Sequence, residues 1–308
     1  MDLLPKIVVI GSLNMDLVVK AVRAPKRGET VMGEEIHFVP GGKGANQAVG
    51  LARLGAETTM IGAVGSDSFG EELLKALQKD GVNTSSVRVL DSEATGVASI
   101  LLAEGDNSIV VVPGANAHCL PEDLDRYEGE IAEADLVLLQ LEIPLETVEY
   151  AIKLARKHGK IVMLNPAPAQ ILSQDLLSKV DYLTPNRSEL ALLTRMSEES
   201  TIAKGIERLL EVGVSCCVTT LGADGVALME KGGNLFKVSG HEVPVVDTTG
   251  AGDAFNAGLA YALAQKKSIR EATEFAVQVS ALAVTKFGAQ GGMPTLAEVK
   301  EYFRRHEN

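Results

Sequence analysis

The sequence predicts an α/β protein with a doubly wound, mostly parallel sheet, helices on both of its faces, and a small separate β-sheet. Short apolar runs alternate with segments whose apolar residues recur every three or four positions, as in buried parallel strands and crossover helices. Two stretches that interrupt this alternation predict the separate sheet. The 308 residues, 46% of them hydrophobic, can fill the core of one large domain of this kind.

The strands of the main sheet are predicted from runs rich in β-branched residues. In chain order these runs are KIVVIG, TTMIGAVG, LVLLQLE, KIVMLNPAP, VDYLTPN and SCCVTTLG. Segments such as ETVEYAIKLARKHG and TIAKGIERLLEVG lie between them, carry the helical period and finish in glycine, which commonly follows a helix. From about Asp253 to the end, the pattern is mostly helical.

The small sheet is predicted from DLVVKAVRAPKRGETVMGEEIHFVP and TGVASILLAEGDNSIVVVPG, which we interpret as antiparallel strands with turns. The second segment reads as a hairpin around Gly105, Asp106 and Asn107. An inserted sheet can cover an active site and exclude water, or it can form a dimer interface, and one element can do both. The predicted division is an α/β core of residues 1–13, 41–92 and 113–308 and a β-sheet lid of residues 14–40 and 93–112.

The excess of acidic over basic residues argues against nucleic acid or a membrane surface as a partner. The formal net charge is −12, the sequence pI is about 5.0, and no run of basic residues is present. The segment MDLLPKIVVIG has a short apolar run broken by Pro5 and Lys6, unlike a signal peptide or an anchor. No apolar run reaches the roughly 20 residues that span a bilayer.

The cysteines and histidines predict neither a disulfide framework nor a zinc site. Cys119, Cys216 and Cys217 are odd in number and lack the C-x-x-C spacing, which is typical of ordinary thiols in a reducing compartment. The five histidines are scattered without ligand spacing. We therefore expect a cytoplasmic protein.

The segment VVDTTGAGDAFNAG, residues 245–258, places an acid between a glycine-bearing turn and a helical pattern. Asp253 could simply cap the helix or interact with its positive end. Gly250 and Gly252, however, leave the backbone N–H groups of the turn accessible, and such groups form an anion site. A carboxylate that deprotonates an acceptor while the N–H groups receive a phosphoryl group explains both features. We therefore favour a catalytic base.

A second glycine-bearing turn, in VPGGKGANQAVGLARLG, precedes another helical pattern. Gly41 and Gly42 permit close backbone approach. Lys43 supplies a positive charge and Asn46 supplies both a donor and an acceptor, which suits a polyhydroxylated ligand. Neither G-x-x-x-x-G-K-[ST] nor G-x-G-x-x-G occurs, which argues against P-loop kinases and typical Rossmann dehydrogenases.

Polar residues follow most of the predicted strands, at the edge where open α/β sheets bind ligands. Taken singly, each is typical of a turn or a helix cap. Together they would crowd one edge of the sheet. They are Asn14, Asp16, Glu142, Asn165, Asn186, Glu189, Thr220 and Gly222.

Seven motifs, in order, resemble the ribokinase group of the PfkB carbohydrate-kinase family: GSLNMD, GGKGANQA, QLEIP, NPAPA, TPNRSE, TLGADG and DTTGAGDAFNAG. The resemblance covers nearly the whole chain. D-T-x-G-A-G-D is typical of the broad family, whereas GGKGAN with N-x-D near the start is more specific to this group. The resemblance implies that ATP phosphorylates the 5-hydroxyl of D-ribose, with Mg²⁺ and a monovalent cation, usually K⁺, as cofactors. It also suggests a homodimer through the lid sheets.

The resemblance assigns catalytic and sugar-binding roles to individual residues. Asp253 matches the catalytic base, and the N–H groups of Gly250, Ala251 and Gly252 match the anion hole. An unperturbed aspartate is a weak base, so we expect the proton to leave late, as the transition state forms. Asn14 could instead cap a turn, and Glu142 could serve a helix start. The residues matching ribose contacts are Asn14, Asp16, Gly42, Lys43, Asn46, Glu142 and Asp253.

The resemblance also assigns nucleotide and metal sites. Glu189, in the N-x-x-E motif, would organise Mg²⁺ through water, although an acid in the first turn of a helix is common for other reasons. Gly292 stands where some relatives carry serine, so only its carbonyl could bind a cation. The residues matching ATP contacts are Asn186, Thr220, Gly222 and Gly225. Those matching the K⁺ site are Asp247, Thr249, Ala283, Gly288 and Gly292, mostly through backbone carbonyls.

Three other functions compete with this interpretation. Another sugar kinase of the family could act on fructose, a nucleoside or a deoxyketo-acid sugar, but Lys43 and the pair Asn14 and Asp16 argue against it. A regulatory protein could bind sugar or nucleotide without turnover, yet Asp253 and its glycines are intact. A dehydrogenase would need the glycine fingerprint that this chain lacks.

Overall fold

A computed structural model describes residues 4–104, 106–197 and 201–306 of the chain. Strands are numbered β1 to β13 in chain order across two sheets. The main sheet has nine strands in the order β13-β12-β11-β10-β9-β8-β1-β4-β5, and it is parallel from β11 to β5. Its strands are β1 (Lys6–Ile10), β4 (Glu57–Gly65), β5 (Asn83–Leu90), β8 (Leu136–Leu139), β9 (Ile161–Leu164), β10 (Tyr182–Leu183), β11 (Cys216–Thr220), β12 (Val226–Glu230) and β13 (Phe236–Val238).

The second sheet has four strands in the order β3-β2-β6-β7. They are β2 (Asn14–Ala21), β3 (Gly33–Gly41), β6 (Gly96–Ala103) and β7 (Asp106–Val112). The hairpins β2–β3 and β6–β7 are antiparallel as predicted, and Gly105 of the predicted turn lies outside the described residues. The two hairpins are joined by β2 and β6, which run parallel, and the sequence made no prediction about this pairing.

The fold class predicted from the sequence is confirmed, with a mostly parallel sheet, helices on both faces and a small second sheet. The division into a core and a lid stays a prediction. The helices are α1 (Lys43–Leu54), α2 (Ser68–Lys79), α3 (Pro121–Arg126), α4 (Glu128–Glu133), α5 (Leu145–Lys157), α6 (Gln174–Leu177), α7 (Arg187–Thr194), α8 (Ile202–Glu211), α9 (Ala251–Ala264), α10 (Ile269–Ala283), α11 (Ala289–Gly292) and α12 (Leu296–His306).

Two hydrophobic cores lie on opposite faces of the main sheet. Alternate residues of β1 supply them, since side chains of a strand point to opposite faces. Ile7 and Val9 pack with α1, α2, α9, α10 and α12, whereas Val8 and Ile10 pack with the helices from α3 to α8. Helix α9 is buried on every side from Asp253 to Ala264, so its first turn is held rigidly between the sheet and helices α1 and α10.

Within the part of the chain that the structure describes, no helix combines the length and apolar character needed to cross a membrane.

Candidate active site

The start of α9 lies at the carboxyl edge of the parallel strands and is shaped by two glycines with different roles. Gly250 precedes the helix with a φ of 77°, and a Cβ there would lie 2.8 Å from the Ala289 Cα, so the fold itself requires glycine. A Cβ at Gly252 would meet nothing within 4 Å, so this side of the turn is open. The first N–H groups of a helix lack intrahelical acceptors, and the open side therefore offers donors to an anion. One of the predicted donors, Ala251 N–H, already contacts the Thr248 carbonyl over 3.2 Å.

Asp253, in the first turn of α9, is buried and does not cap the helix. Its Oδ2 accepts from Asn46 Nδ2 over 3.0 Å, and its Oδ1 accepts from Gln47 Nε2 over 2.9 Å. Only 7% of the residue is exposed. Burial raises the pKa of Asp253, while Lys43 and the two amide donors oppose that rise. These contacts weigh against the capping alternative, because the carboxylate is oriented from a different helix.

Helix α1 brings Lys43, Asn46 and Gln47 to one face, because residues three and four apart lie side by side. Its start is unusual. Gly42 has a φ of 88°, and a Cβ there would lie 2.7 Å from the Asn14 backbone nitrogen. Glu142 Oε2 accepts from Lys43 N over 3.1 Å, so Glu142 also stabilises the amino end of α1. Its carboxylate is tied down further by the Ser12 hydroxyl, which donates to Oε2 over 2.5 Å.

Lys43 is the cation at the centre of an acidic site. Burial lowers its pKa, but the attraction of Asp253, Glu142, Glu189 and Asp16 outweighs burial and raises it. The charged ammonium in turn stabilises the carboxylates around it. The site therefore holds one half-buried positive charge among four acidic groups, which are drawn from separate parts of the chain.

Asp16 lies on β2 of the small sheet and faces the same site. Burial and the negative charges of Glu142 and Asp253 raise the pKa of Asp16 to about 7, and Lys43 opposes the rise. Gly41 of β3, which pairs with Asn14, must lack a side chain, because a Cβ there would lie 2.3 Å from the Asp16 carboxylate. Asp16 is therefore poised between its neutral and ionised forms near neutral pH.

Asn14, at the start of β2, is held by Asn116, which lies in a 3₁₀ turn after β7. Asn116 Nδ2 donates to Asn14 Oδ1 over 2.8 Å and to the Leu13 carbonyl over 3.0 Å. Asn116 Oδ1 accepts from Leu13 N over 2.9 Å. The Asn14 side chain is therefore oriented with its oxygen engaged and its amino group available.

The predicted nucleotide residues gather at the ends of β10 and β11. Asn186, which follows β10, forms a parallel β-bridge with Thr220, the last residue of β11. Gly222 and Gly225 flank a 3₁₀ turn with φ values of 66° and 90°. A Cβ at Gly225 would lie 2.1 Å from the Val238 carbonyl, so packing alone requires that glycine, whereas Gly222 faces open space.

Glu189 occupies the first turn of α7 and forms a reciprocal cap with Asn186. Asn186 Oδ1 accepts from Glu189 N, and Glu189 Oε2 accepts from Asn186 N, each over 2.8 Å. The structural alternative considered for this motif is therefore realised. Burial raises the pKa of Glu189, the hydrogen bond from Asn186 N and the charge of Lys43 oppose the rise, and the charge of Asp253 adds to it. The Glu189 carboxylate is therefore close enough to Lys43 and Asp253 to interact with their charges.

The two loops predicted to hold a monovalent cation meet beside α9. Asp247 Oδ1 accepts from Thr249 N over 2.9 Å and from Thr249 Oγ1 over 2.7 Å, while Asp247 Oδ2 accepts from Gly288 N over 2.9 Å. Burial raises the pKa of Asp247, but these bonds outweigh it and lower that pKa. A Cβ at Gly292 would lie 2.6 Å from the Ala283 carbonyl, so this glycine lets the second loop close. The Asp247 carboxylate thus organises both loops.

The edge of the sheet around Glu189 and Asp247 offers single oxygen donors to a cation, and not a preformed cluster of acidic side chains. Within the described ranges, no group of three or more histidine, cysteine, aspartate or glutamate side chains could hold a metal ion. The oxygens that this edge does offer are the carboxylates of Glu189 and Asp247 and the hydroxyl of Thr249, which are of the donor type that hard cations take in proteins.

Sequence reasoning gave no role to several polar residues that build this site. Asn165 was noted only for its position after a strand. Gln47 directly follows Asn46, and a glutamine on the buried face of an amphipathic helix was the signal that could have revealed it. The others become visible only when the strands come together. These residues are Ser12, Gln47, Asn116, Gln140, Asn165 and Asn256.

Comparisons with known proteins agree with this geometry. The model of the pfkB family carbohydrate kinases matches residues 4–296. The chain is 45% identical to ribokinase of Bacillus subtilis (strain 168), over 96% of this chain and 98% of that one. It is 37% identical to deoxyribokinase of Salmonella typhi, over 98% and 99% of the two chains. Arabidopsis thaliana ribokinase complexed with ribose and ATP superposes with a TM-score of 0.92, at 36% identity, over 97% of this chain and 98% of that chain. The chain therefore belongs to the pfkB family of carbohydrate kinases, as an enzyme of the ribokinase type.

Proposed function

We propose that this enzyme transfers the γ-phosphoryl group of ATP to O5 of D-ribose, giving D-ribose 5-phosphate and ADP. The observation that carries the proposal is Asp253. It is a buried carboxylate held by Asn46 and Gln47, directly beside the open helix start at Gly252. A base next to a group of anion-binding N–H donors is what phosphoryl transfer to an alcohol requires.

In the proposed reaction, Asp253 accepts the proton of the 5-hydroxyl as that oxygen attacks the γ-phosphorus. The new O–P bond forms while the bond between the γ-phosphorus and the β,γ-bridging oxygen breaks, and ADP leaves with that electron pair. The N–H groups of Gly250 and Gly252 stabilise negative charge on the moving phosphoryl group, and Ala251 N–H, which also contacts the Thr248 carbonyl, is the third donor of this group. Burial raises the pKa of Asp253, which makes it a better proton acceptor than an exposed aspartate.

Ribose would be recognised by paired hydrogen-bond donors and acceptors from β2 of the small sheet, from α1 and from the loop after β8. Asp16 and Glu142 accept from hydroxyls, Lys43 donates, and the Asn14 amino group is free to donate because Asn116 engages its oxygen. Asn46 Oδ1 is buried without a partner, and a sugar hydroxyl would satisfy it. The backbone at Gly42 allows close approach.

The nucleotide and its ions would occupy the neighbouring edge. ATP would contact Asn186, Thr220, Gly222 and Gly225, and Glu189 would hold Mg²⁺ through water. Magnesium supplies neutralising charge on the phosphates. The K⁺ site would use Asp247 and Thr249 with the carbonyls of Ala283, Gly288 and Gly292, and the meeting of the two loops at Asp247 supports it.

The test is ATP-dependent ADP release with D-ribose, 2-deoxy-D-ribose, D-fructose and adenosine in parallel. Mg²⁺ is present throughout, and K⁺ is either present or replaced by a large organic cation. The deoxyribokinase among the relatives makes the first two sugars the decisive pair. Preference for ribose with K⁺ activation supports the proposal. Preference for another sugar overturns the substrate, and no turnover on any of them overturns the catalytic assignment.

Ribose affinity is expected to rise with pH through about 7, because an ionised Asp16 accepts hydroxyl hydrogen bonds that a neutral one cannot match. A folded-state pKa raised from 3.8 means that Asp16 contributes stability below pH 4, and that this contribution is lost as the pH rises through about 7. Ribose binding should restore this lost stability. Calorimetric titration should show affinity about tenfold weaker at pH 6 than at pH 8, in proportion to the ionised fraction.

The matched control for this pH effect is Asp16→Asn, which cannot ionise. Its ribose affinity should be weaker than that of the wild type at pH 8 and nearly flat between pH 6 and 8. Wild-type affinity that is equal at both pH values, or stronger at pH 6, would show that another group governs sugar binding.

We also propose that the chain forms a homodimer through the small sheet. Its edge strand β7 exposes Ile109, Val110, Val111 and Val112, with exposures between 44% and 65%. An apolar sheet edge of this kind favours pairing with a second copy. Light scattering after size exclusion should give a dimer at micromolar concentration. Val110→Lys should weaken it at least about 100-fold by placing an unpaired charge in the interface.

The control for the dimer is Ile171→Lys, which places the same charge on an apolar residue 62% exposed and outside the small sheet. It should elute like the wild type. A wild-type chain that elutes as a monomer would contradict the dimer.

We propose a cytoplasmic location as well. Among the described residues Cys119, Cys216 and Cys217 are buried and free, which suits a reducing compartment. Burial raises the pKa of the Cys119 and Cys217 thiols to about 12, so they remain protonated and unreactive.

A further inference from the structure

Behind Asp253, buried amide side chains form a continuous chain of hydrogen bonds. Gln47 Nε2 donates both to Asp253 Oδ1 over 2.9 Å and to Asn165 Oδ1 over 3.1 Å. Gln140 Nε2 donates to Gln47 Oε1 over 2.6 Å. Gln47 and Gln140 have no exposed surface, and Asn165 is 7% exposed. Buried amides of this kind act as fixed dipoles, because no water competes for their hydrogen bonds.

The partners determine which end of the Gln47 amide faces Asp253. Asn165 Nδ2 donates over 3.3 Å to the Thr184 backbone carbonyl, which can only accept, so Asn165 Oδ1 must face Gln47. Gln47 therefore presents its amino group to Asn165 and Asp253. Its oxygen is satisfied by Gln140 on the other side. A rotated Gln47 amide would place oxygen against both a carboxylate and another amide oxygen.

We propose that Gln47 is a positioning residue, which holds Oδ1 of Asp253 and so directs Oδ2 toward the acceptor hydroxyl. The proposal rests on the phosphoryl transfer proposed above. Asn46 donates to Oδ2 over 3.0 Å but leaves its own Oδ1 without a partner, so its amide is held less firmly than that of Gln47. Both the nitrogen and the oxygen of the Gln47 amide are hydrogen-bonded, whereas only the nitrogen of the Asn46 amide is.

Gln47 also influences the charge of Asp253. Its hydrogen bond lowers the pKa of Asp253, against the rise caused by burial. Loss of the donor should therefore leave less of the carboxylate ionised at a given pH. A residue with a purely structural role would not shift this ionisation.

Gln47→Leu removes the donor with little change in volume. Its kcat is expected to fall about 10- to 100-fold, as for the loss of a hydrogen bond to a charged group. The acidic limb of the kcat profile should move to higher pH, while KM for the sugar changes less than about threefold, because Gln47 is not a sugar contact. Gln78→Leu, an exposed glutamine on α2, is the matched control and should keep the wild-type profile.

A second readout does not depend on turnover. Aspartate labelled with ¹³C at the carboxyl carbon gives an Asp253 resonance, identified by its disappearance in Asp253→Asn. Its titration midpoint should be higher in Gln47→Leu than in the wild type. An unchanged midpoint together with an unchanged acidic limb would overturn the proposal. Absence of wild-type turnover on any sugar would instead count against the proposed function, and the labelled carboxyl would still decide the role of Gln47.

Gln47→Glu covers the case in which the leucine variant does not fold. The new side chain keeps the shape of glutamine but places a second carboxyl beside Asp253. The two groups should share a proton over a wide pH range, so the acidic limb should move further upward than in any neutral variant. A wild-type profile in Gln47→Glu would overturn the proposal, because shape alone would then suffice.

Discussion

Asp253→Asn is expected to lower kcat about 1,000-fold, within the range that general base catalysis supplies, while ribose still binds. The variant should fold normally. The new amide can direct its oxygen to Gln47 Nε2 and its amino group to Asn46, whose Oδ1 lacks a partner and can rotate to accept. Only the ability to take up a proton is lost. Coupled measurement of ADP release gives kcat, and calorimetry gives ribose affinity, which should stay within about tenfold of the wild type.

Asp175→Asn is the matched control for this loss. Asp175 lies at the surface and pairs with Lys179, so the same chemical change there should leave kcat unaltered. A kcat for Asp253→Asn within about tenfold of the wild type would remove Asp253 from the role of base. Loss of ribose binding at unchanged kcat would instead make it a sugar contact.

The fold was predictable where local sequence patterns determine the secondary structure. The buried parallel strands β1, β4 and β8 to β11 coincide with continuous apolar runs, because a strand covered on both faces needs apolar residues at every position. Strand β5 was not predicted, because it lies at the edge of the sheet and only two of its residues, Ser86 and Val87, are buried. The parallel pairing of β2 with β6 could not be predicted from local sequence, because the two strands are far apart in the chain and their pairing depends on tertiary structure.

The site was predictable where the chemically active residues lie in one local motif. It was less predictable where residues from remote parts of the chain determine the chemistry. Glycine-bearing turns and acidic residues, such as Gly250, Gly252 and Asp253, can be recognised from the sequence alone. The ionisation of Asp16 does not, because its raised pKa arises from burial and from Glu142 and Asp253, both remote in the chain. The same holds for Gln140, whose role depends on β8 lying beside β1.

The charge balance at the centre of the site leads to the second large effect, that of Lys43→Met. Lys43 is attracted by Asp253, Glu142, Glu189 and Asp16, so its removal leaves these acids without their shared cation. We expect kcat/KM for ribose at pH 7.5 to fall about 100-fold, comparable to the loss of one preorganised donor at a site of developing charge. Methionine has nearly the same length, so the packing of α1 should survive.

The pH dependence distinguishes this electrostatic effect from damage to the fold. Without Lys43 the pKa values of Asp16 and Asp253 should rise, because its positive charge lowers both. Each carboxylate then ionises only at higher pH, so the acidic limb of kcat/KM should move upward and part of the activity should return in alkaline buffer. Lys75→Met, at an exposed lysine on α2, should keep the wild-type profile. A uniform loss at every pH would mean that Lys43 acts only by contacting the sugar, since a contact that does not change the ionisation of its neighbours cannot shift the limb.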